Sequence, residues 1–138
     1  VVSQCDTVVV ELAGKIGRTI GKAFQILDDI LDYDGQSQKM QKPVLEDLKE
    51  GVYSLPLILA MKNDGDAFKP YLNKKTAMTV TDVQTVQRLV VQHQGVNQAR
   101  NRASELTQQA LSLIDQLPEH PVKTDLKALT KLLLKRDE

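Results

Sequence analysis

The sequence predicts an all-α fold, and three observations carry that expectation. Apolar residues recur at three- and four-residue steps rather than in alternation, even where they are β-branched. The first such run, from about Thr7 to Tyr33, far exceeds the length of an ordinary strand. The breaking residues Gly35, Pro43, Gly51, Gly95, Pro118 and Pro121 fall between the runs, where helices should stop.

Taken in order, the first helix is expected from about Thr7 to Tyr33, with Asp6 or Thr7 as its N-cap. Val9, Leu12, Ile16, Ile20, Ala23, Leu27 and Ile30 make its apolar stripe. Gly14, Gly17, Gly21, Phe24, Asp28 and Asp32 make a second stripe. Each glycine costs a helix about 1 kcal/mol, so three in a row on one stripe imply close approach of a neighbouring helix or a ligand. A break is expected from Asp34 to about Tyr53, around Gly35, Pro43 and Gly51. Ser54 to Asn63 is short and strongly apolar, and Pro56 suits the first turn of a buried helix capped near Ser54. Asp64, Gly65 and Asp66 end it, and one or two helical turns fit between Asp66 and Asn73. Thr81 is the expected cap of a helix reaching about Gln94, with Val83, Val86, Leu89 and Val90 inward and Gly95 as C-cap. The next helix, Val96 to Leu117, is the most regular, with small residues on its inner stripe (Ala99, Ala103, Ala110) that imply tight packing. Pro118 and Pro121 precede a last helix, about Val122 to Lys135. There is no compositional boundary, low-complexity tract or repeat, so residues 1–138 are expected to form a single helical domain.

Composition narrows the function. The chain carries 18 basic and 18 acidic residues; without a basic excess there is no case for a nucleic-acid partner. Its single cysteine, Cys5, rules out an intrachain disulfide and fits a reducing, cytoplasmic setting. Cys5 is expected to be an incidental or packed thiol rather than a reactive one. No apolar run approaches the ~20 residues needed to span a bilayer, and no basic-then-apolar leader is present. The chain begins at Val1 without a methionine, from which a fragment is expected.

The chemistry concentrates in Gly21-Lys22-Ala23-Phe24-Gln25-Ile26-Leu27-Asp28-Asp29-Ile30-Leu31-Asp32-Tyr33. Asp28 and Asp32 fall one helical turn apart on one face and repel each other. They lie toward the C-terminal end of the helix, where the dipole also disfavours negative charge. Apolar neighbours on both sides raise the cost further. A cation would offset all three penalties. Oxygen donors spaced D-D-x-x-D suit Mg²⁺, which prefers to share its shell with phosphate oxygens. The competing reading is a solvated acidic face. Lys42, ten residues beyond Asp32, is placed to fold back over the helix end and meet a diphosphate as a point charge; a solvent lysine is the alternative. Asp47 is either part of the ligand shell or a helix cap. His93 and His120 have no metal-ligand spacing and are expected at the surface near helix ends. No nucleophile elbow, P-loop or Cys–His pairing is present.

Phe24-Gln25-Ile26-x-Asp28-Asp29-Ile30-Leu31-Asp32-Tyr33 resembles the second aspartate-rich motif of the trans-isoprenyl diphosphate synthases, the polyprenyl synthetases. Gly17 and Gly21 match that family's paired glycines upstream. Lys42-Pro43 and Asp47-Leu48-Lys49-Glu50-Gly51 match its downstream block, although two glycines of that block are Gln41 and Leu45 here. Ser54-Leu55-Pro56-Leu57-Ile58 is similar to its next helix start, and the stretch from Gly95 to Arg136 to its C-terminal helices. The family's first aspartate-rich motif, its arginine pair and its Lys-Thr motif are not found in the chain.

The resemblance implies the C-terminal portion of an isoprenoid synthase helical bundle, carrying one wall of the active site. It implies Mg²⁺-dependent condensation of isopentenyl diphosphate with an allylic diphosphate in the intact protein, and little activity in the isolated chain. By matching position, Asp28 and Asp32 would ligate Mg²⁺ and Asp29 would orient metal-bound water. Lys42 would neutralise the allylic diphosphate, and Phe24 and Gln25 would line the cavity near the reacting carbons. A homo-oligomer, or a role as the second subunit of a two-component synthase, is implied as partner. The alternative is a non-catalytic helical subunit or pseudoenzyme, which the substitutions at Gln41 and Leu45 favour and the intact aspartates oppose. A terpene cyclase shares the helical chemistry, but its usual Asn-Ser/Thr-Glu metal pattern is not present.

Overall fold

The computed structural model describes residues 4–34, 41–119 and 121–134. Among the described residues there are seven α-helices, two 3-10 turns and no strand, so the fold is all-α as expected. Helix α1 spans Gln4–Asp34, α2 Gln41–Lys49, α3 Leu55–Asn63, α4 Lys69–Leu72, α5 Val80–Gln92, α6 Gly95–Asp115 and α7 Pro121–Leu133. The chain falls into two compact units, one of Val1–Leu27 with Arg102–Glu138 and the other of Asp28–Asn101.

Helix α1 follows its predicted stripe but begins at Gln4, so Asp6 and Thr7, the expected N-caps, lie inside it. Leu12, Ile16, Ala23, Leu27 and Ile30 are buried, while Gly17, Gly21, Phe24 and Asp28 of the second stripe are exposed. The close approach expected at the glycines does not occur among the described residues. A Cβ at Gly17 or Gly21 would meet nothing within 4 Å, and one at Gly14 would meet only the guanidinium of Arg18.

In the unit Asp28–Asn101, helix α5 packs against α2 and α3, and α2 also touches the 3-10 turn Lys75–Ala77. Ile30, Leu48, Leu57, Phe68, Val83, Val86 and Val90 are fully buried there. Each such side chain contributes about 1.5–3 kcal/mol through the area it removes from water.

Helix α2 corrects the sequence reading, which expects a break over this whole stretch. Pro43 does not prevent it, because the first turn of a helix needs no N–H at that position. Val44, Leu45 and Leu48 bury one face of α2. Gly51 ends the helix in the left-handed region, at φ 78°. Its N–H donates to Leu48 O at 3.1 Å and that of Val52 to Asp47 O at 2.8 Å, the paired bonds of a Schellman cap. Asp47 is therefore an interior residue of α2 and caps nothing. Leu45, where the family pattern has glycine, is a core residue of this helix.

Two further boundaries differ from expectation. Helix α5 is capped by Thr79 rather than Thr81: Asp82 N donates to Thr79 Oγ1 at 3.3 Å, and Thr79 N donates to Asp82 Oδ2 at 2.9 Å. The Asp82 carboxylate selects Thr79 because a capping box needs its acceptor three residues on. At the other end, Gly95 is not the C-cap. His93 holds that position, Gln94 takes the left-handed conformation at φ 67°, and Gly95 opens α6. The glycine is required for packing: a Cβ there would sit 2.2 Å from Pro56 O and 2.9 Å from Ala60 Cβ. His93 is half-buried rather than at the surface, with its ring edge-on to Phe68 at 5.9 Å. His120 lies outside the described residues.

In the unit of Val1–Leu27 and Arg102–Glu138, Leu12, Ile16, Ala23, Ala103, Ala110, Ile114 and Leu134 are buried. The turn from α6 into α7 is closed by two lysines. Lys123 Nζ donates to Asp115 O at 3.0 Å, and Lys127 pairs with the Asp115 carboxylate.

Candidate active site

The last two turns of α1 bring Asp28, Asp29 and Asp32 to one helix end. Asp28 is exposed, while Asp29 and Asp32 are half-buried. Tyr33, the next residue, is almost fully buried at 6% exposure and anchors this end in the core. The last turn of α1 carries no basic residue to answer the negative end of the helix dipole.

These placements act on Asp32. Burial pushes its carboxyl up to about 6, and the charges of Asp29, Asp28 and Asp47 push in the same direction. Asp47 thus belongs to the same electrostatic cluster although it is carried by α2. Burial likewise pushes the Tyr33 phenol above its usual range, with Asp32, Asp29 and Asp47 adding to it. The nearby Ser54 hydroxyl works against that rise. Ser54 Oγ is itself buried and makes no well-formed hydrogen bond among the described residues. Ser54 takes the N-cap backbone conformation of α3 without supplying a side-chain cap.

Gln87 was not legible as a site residue. It projects from α5, and its Nε2 donates to the backbone carbonyl of Asp32 at 2.6 Å. That carbonyl belongs to the last turn, where intrahelical donors run out. No motif marks Gln87; only the three-dimensional fold brings it to a residue so distant in sequence.

The other predicted site residues lie as follows. Phe24 and Gln25 are in the turn of α1 before Asp28, and both are exposed, Phe24 at 37%. Lys42 lies in the first turn of α2, and its side chain is outside the described residues.

The donor set fits Mg²⁺ in kind. It consists of carboxylate oxygens; burial and the neighbouring carboxylates raise the proton affinity of Asp32, and a hard divalent cation would displace that proton. It does not make a closed shell by itself. Among the described residues, no group of three or more His, Cys, Asp or Glu side chains converges tightly enough to hold a metal ion alone. An incomplete protein shell suits Mg²⁺, which keeps places for water and phosphate.

Comparison with known proteins identifies the family. The family model described as Polyprenyl synthetase matches residues 1–93. The octaprenyl diphosphate synthase of Haemophilus influenzae is 36% identical over 124 residues, covering 88% of this chain and 37% of that protein. A geranyl-diphosphate-specific all-trans-nonaprenyl-diphosphate synthase of Rhodobacter capsulatus is 37% identical over 117 residues, 84% of this chain and 36% of that one. Among solved structures, geranylgeranyl pyrophosphate synthase from Lactobacillus brevis, crystallised with citrate, matches with a TM-score of 0.88 and 49% identity. That match covers 95% of this chain and 42% of the Lactobacillus chain. Heptaprenyl diphosphate synthase from Staphylococcus aureus matches with a TM-score of 0.80 and 31% identity, over 94% of this chain and 41% of that one. The chain therefore spans less than half the length of the synthases it matches. The all-α fold, the aspartate-bearing helix end and these similarities converge: the chain belongs to the polyprenyl synthetase family.

Proposed function

We propose that the chain forms the aspartate-bearing wall of a trans-polyprenyl diphosphate synthase, within one larger all-α synthase domain. The intact protein would condense isopentenyl diphosphate with an allylic diphosphate, dependent on Mg²⁺, in the cytoplasm. One observation carries the reading above the others: Asp32 is half-buried, its carboxyl is raised by burial and by the charges of Asp29, Asp28 and Asp47, and the last turn of α1 carries no basic residue. A fold keeps such a cost where a bound cation removes it.

Asp28 and Asp32 would be the direct ligands, and Asp29 would orient metal-bound water. Mg²⁺ held there supplies charge stabilisation to the departing diphosphate. Lys42, at the start of α2, would neutralise the allylic diphosphate. Phe24 and Gln25, one turn before the aspartates, would line the hydrocarbon side of the cavity. The partner in assembly would be a second copy of the intact protein or a second synthase subunit. The non-catalytic alternative draws on the substitutions at Gln41 and Leu45, of which Leu45 is buried in α2.

The test is a chimera in which this chain replaces the matching 42% of the Lactobacillus synthase. With Mg²⁺, isopentenyl diphosphate and farnesyl diphosphate, the chimera should elongate prenyl chains, and Asp28→Ala should abolish elongation. A folded chimera that turns over equally well with Asp28→Ala would overturn the assignment. The 138-residue chain alone should show little or no turnover, and robust turnover would overturn the incomplete-site part of the reading.

A further inference from the structure

Helix α5 packs Val83, Val86 and Val90 into the core of its unit and carries Gln87 on a half-buried flank. We propose that Gln87 is a positioning residue for the metal-binding aspartates: its side-chain amide, 2.6 Å from the Asp32 carbonyl, fixes the acid-bearing end of α1 against α5. The inference rests on the synthase reading of Asp28 and Asp32, and names a residue that reading does not use.

Terminal carbonyls of a helix need outside donors, and the usual donors are a lysine, an arginine or a glycine-based cap. A cationic donor here would satisfy the Asp32 carbonyl but would also bond its carboxylate and neutralise the donor set that the metal needs. A primary amide donates without adding charge. It therefore satisfies the carbonyl and leaves the carboxylates to an incoming cation. A bond rooted in a core helix holds this end in place. Fixing the backbone of Asp32 fixes the origin of its carboxylate, and through the helix that of Asp28 one turn earlier.

The test uses the 138-residue chain, with Mn²⁺ and inorganic diphosphate as the probe and loss of the free-Mn²⁺ EPR signal as the readout. Gln87→Met keeps the length and apolar stem but removes the donor. It should weaken uptake of Mn²⁺–diphosphate by about tenfold, the usual cost of losing an outer partner of a metal ligand. Thr79→Ala is the control, because it removes the cap of the same helix far from the aspartates and should leave uptake unchanged. In the wild-type chain, a scalar coupling across the hydrogen bond should link Gln87 Nε2 to the Asp32 carbonyl carbon. Wild-type uptake by Gln87→Met, equal weakening by Thr79→Ala, or absence of that coupling would each overturn the proposal while leaving the synthase reading standing. If neither the wild-type chain nor its Lactobacillus chimera takes up Mn²⁺–diphosphate, the synthase reading fails and this proposal falls with it.

Discussion

Replacing Asp32 with asparagine should stabilise the metal-free chain at neutral pH, although it should cripple the proposed site. Burial and three neighbouring carboxylates raise the Asp32 carboxyl from 3.8 to about 6. A displacement of that size is worth about 3 kcal/mol in a dry setting. Asp32 is only half-buried, and solvent screening reduces the figure to about 1–1.5 kcal/mol. The direction follows from linkage. The folded protein binds the proton more tightly than the unfolded chain does, so Asp32 favours folding fully below about pH 4 and loses that contribution as pH rises through 6. The Asp32→Asn side chain is free of the titration, and the variant keeps the backbone carbonyl that Gln87 binds. Urea unfolding in EDTA at pH 3.5, 5 and 7.5 measures the effect. Asp32→Asn should match wild type at the lowest pH and gain about 1–1.5 kcal/mol at the highest. A variant of equal or lower stability at pH 7.5 would refute the claim that burial and the neighbouring carboxylates make ionised Asp32 costly.

Other substitutions probe the frame around the site. Gly95→Ala places a methyl group 2.2 Å from Pro56 O, against backbone that cannot yield, and should cost about 1–3 kcal/mol by overpacking in thermal unfolding. Thr79→Ala removes the cap of α5 and should cost about 1 kcal/mol in urea titration. Gly17→Ala with Gly21→Ala enters open space and should raise the helical stability of the isolated chain by about 1–2 kcal/mol. In the Lactobacillus chimera the same pair should slow elongation, because there the glycines would face the part of the synthase that this chain does not cover.

What the sequence could show follows the range of the interactions involved. The apolar stripe and C-terminal end of helix α1 were legible, because its burial repeats with the helical period from Leu12 to Ile30; its start at Gln4, ahead of the expected caps Asp6 and Thr7, was not. The aspartates were legible because three carboxylates in a greasy helix conflict with local physics. Helix α2 was not, because it is short, opens near a proline and sits between glycines, all of which indicate a break to a local reading. Its formation depends on burying Val44, Leu45 and Leu48 against the rest of its unit. The choice of Thr79 over Thr81 turned on which threonine had a carboxylate three residues on. Gly95 reads locally as a stop signal, whereas its real constraint is the Pro56 carbonyl, a contact that no local window contains. Gln87 is the extreme case, since a lone glutamine in an amphipathic helix carries no signal at all.

Most of what creates the charge cluster is local to α1, and so is one of its restraints, Tyr33; the other, Gln87, comes from 55 residues away. Asp47 adds repulsion from α2, a helix held by the buried face and the Gly51 cap. Tyr33 and Gln87 then oppose the repulsion, one through apolar burial and one through a neutral hydrogen bond. Neither of these restraints brings a positive charge to Asp32. A lysine or arginine in the last turn of α1 would gain from both the dipole and the carboxylates, and that turn carries none. Restraint by apolar packing and an uncharged amide adds no charge that would offset the carboxylates. A divalent cation arriving with diphosphate would then meet a site already paid for in stability, and its binding would return the repulsion energy as affinity.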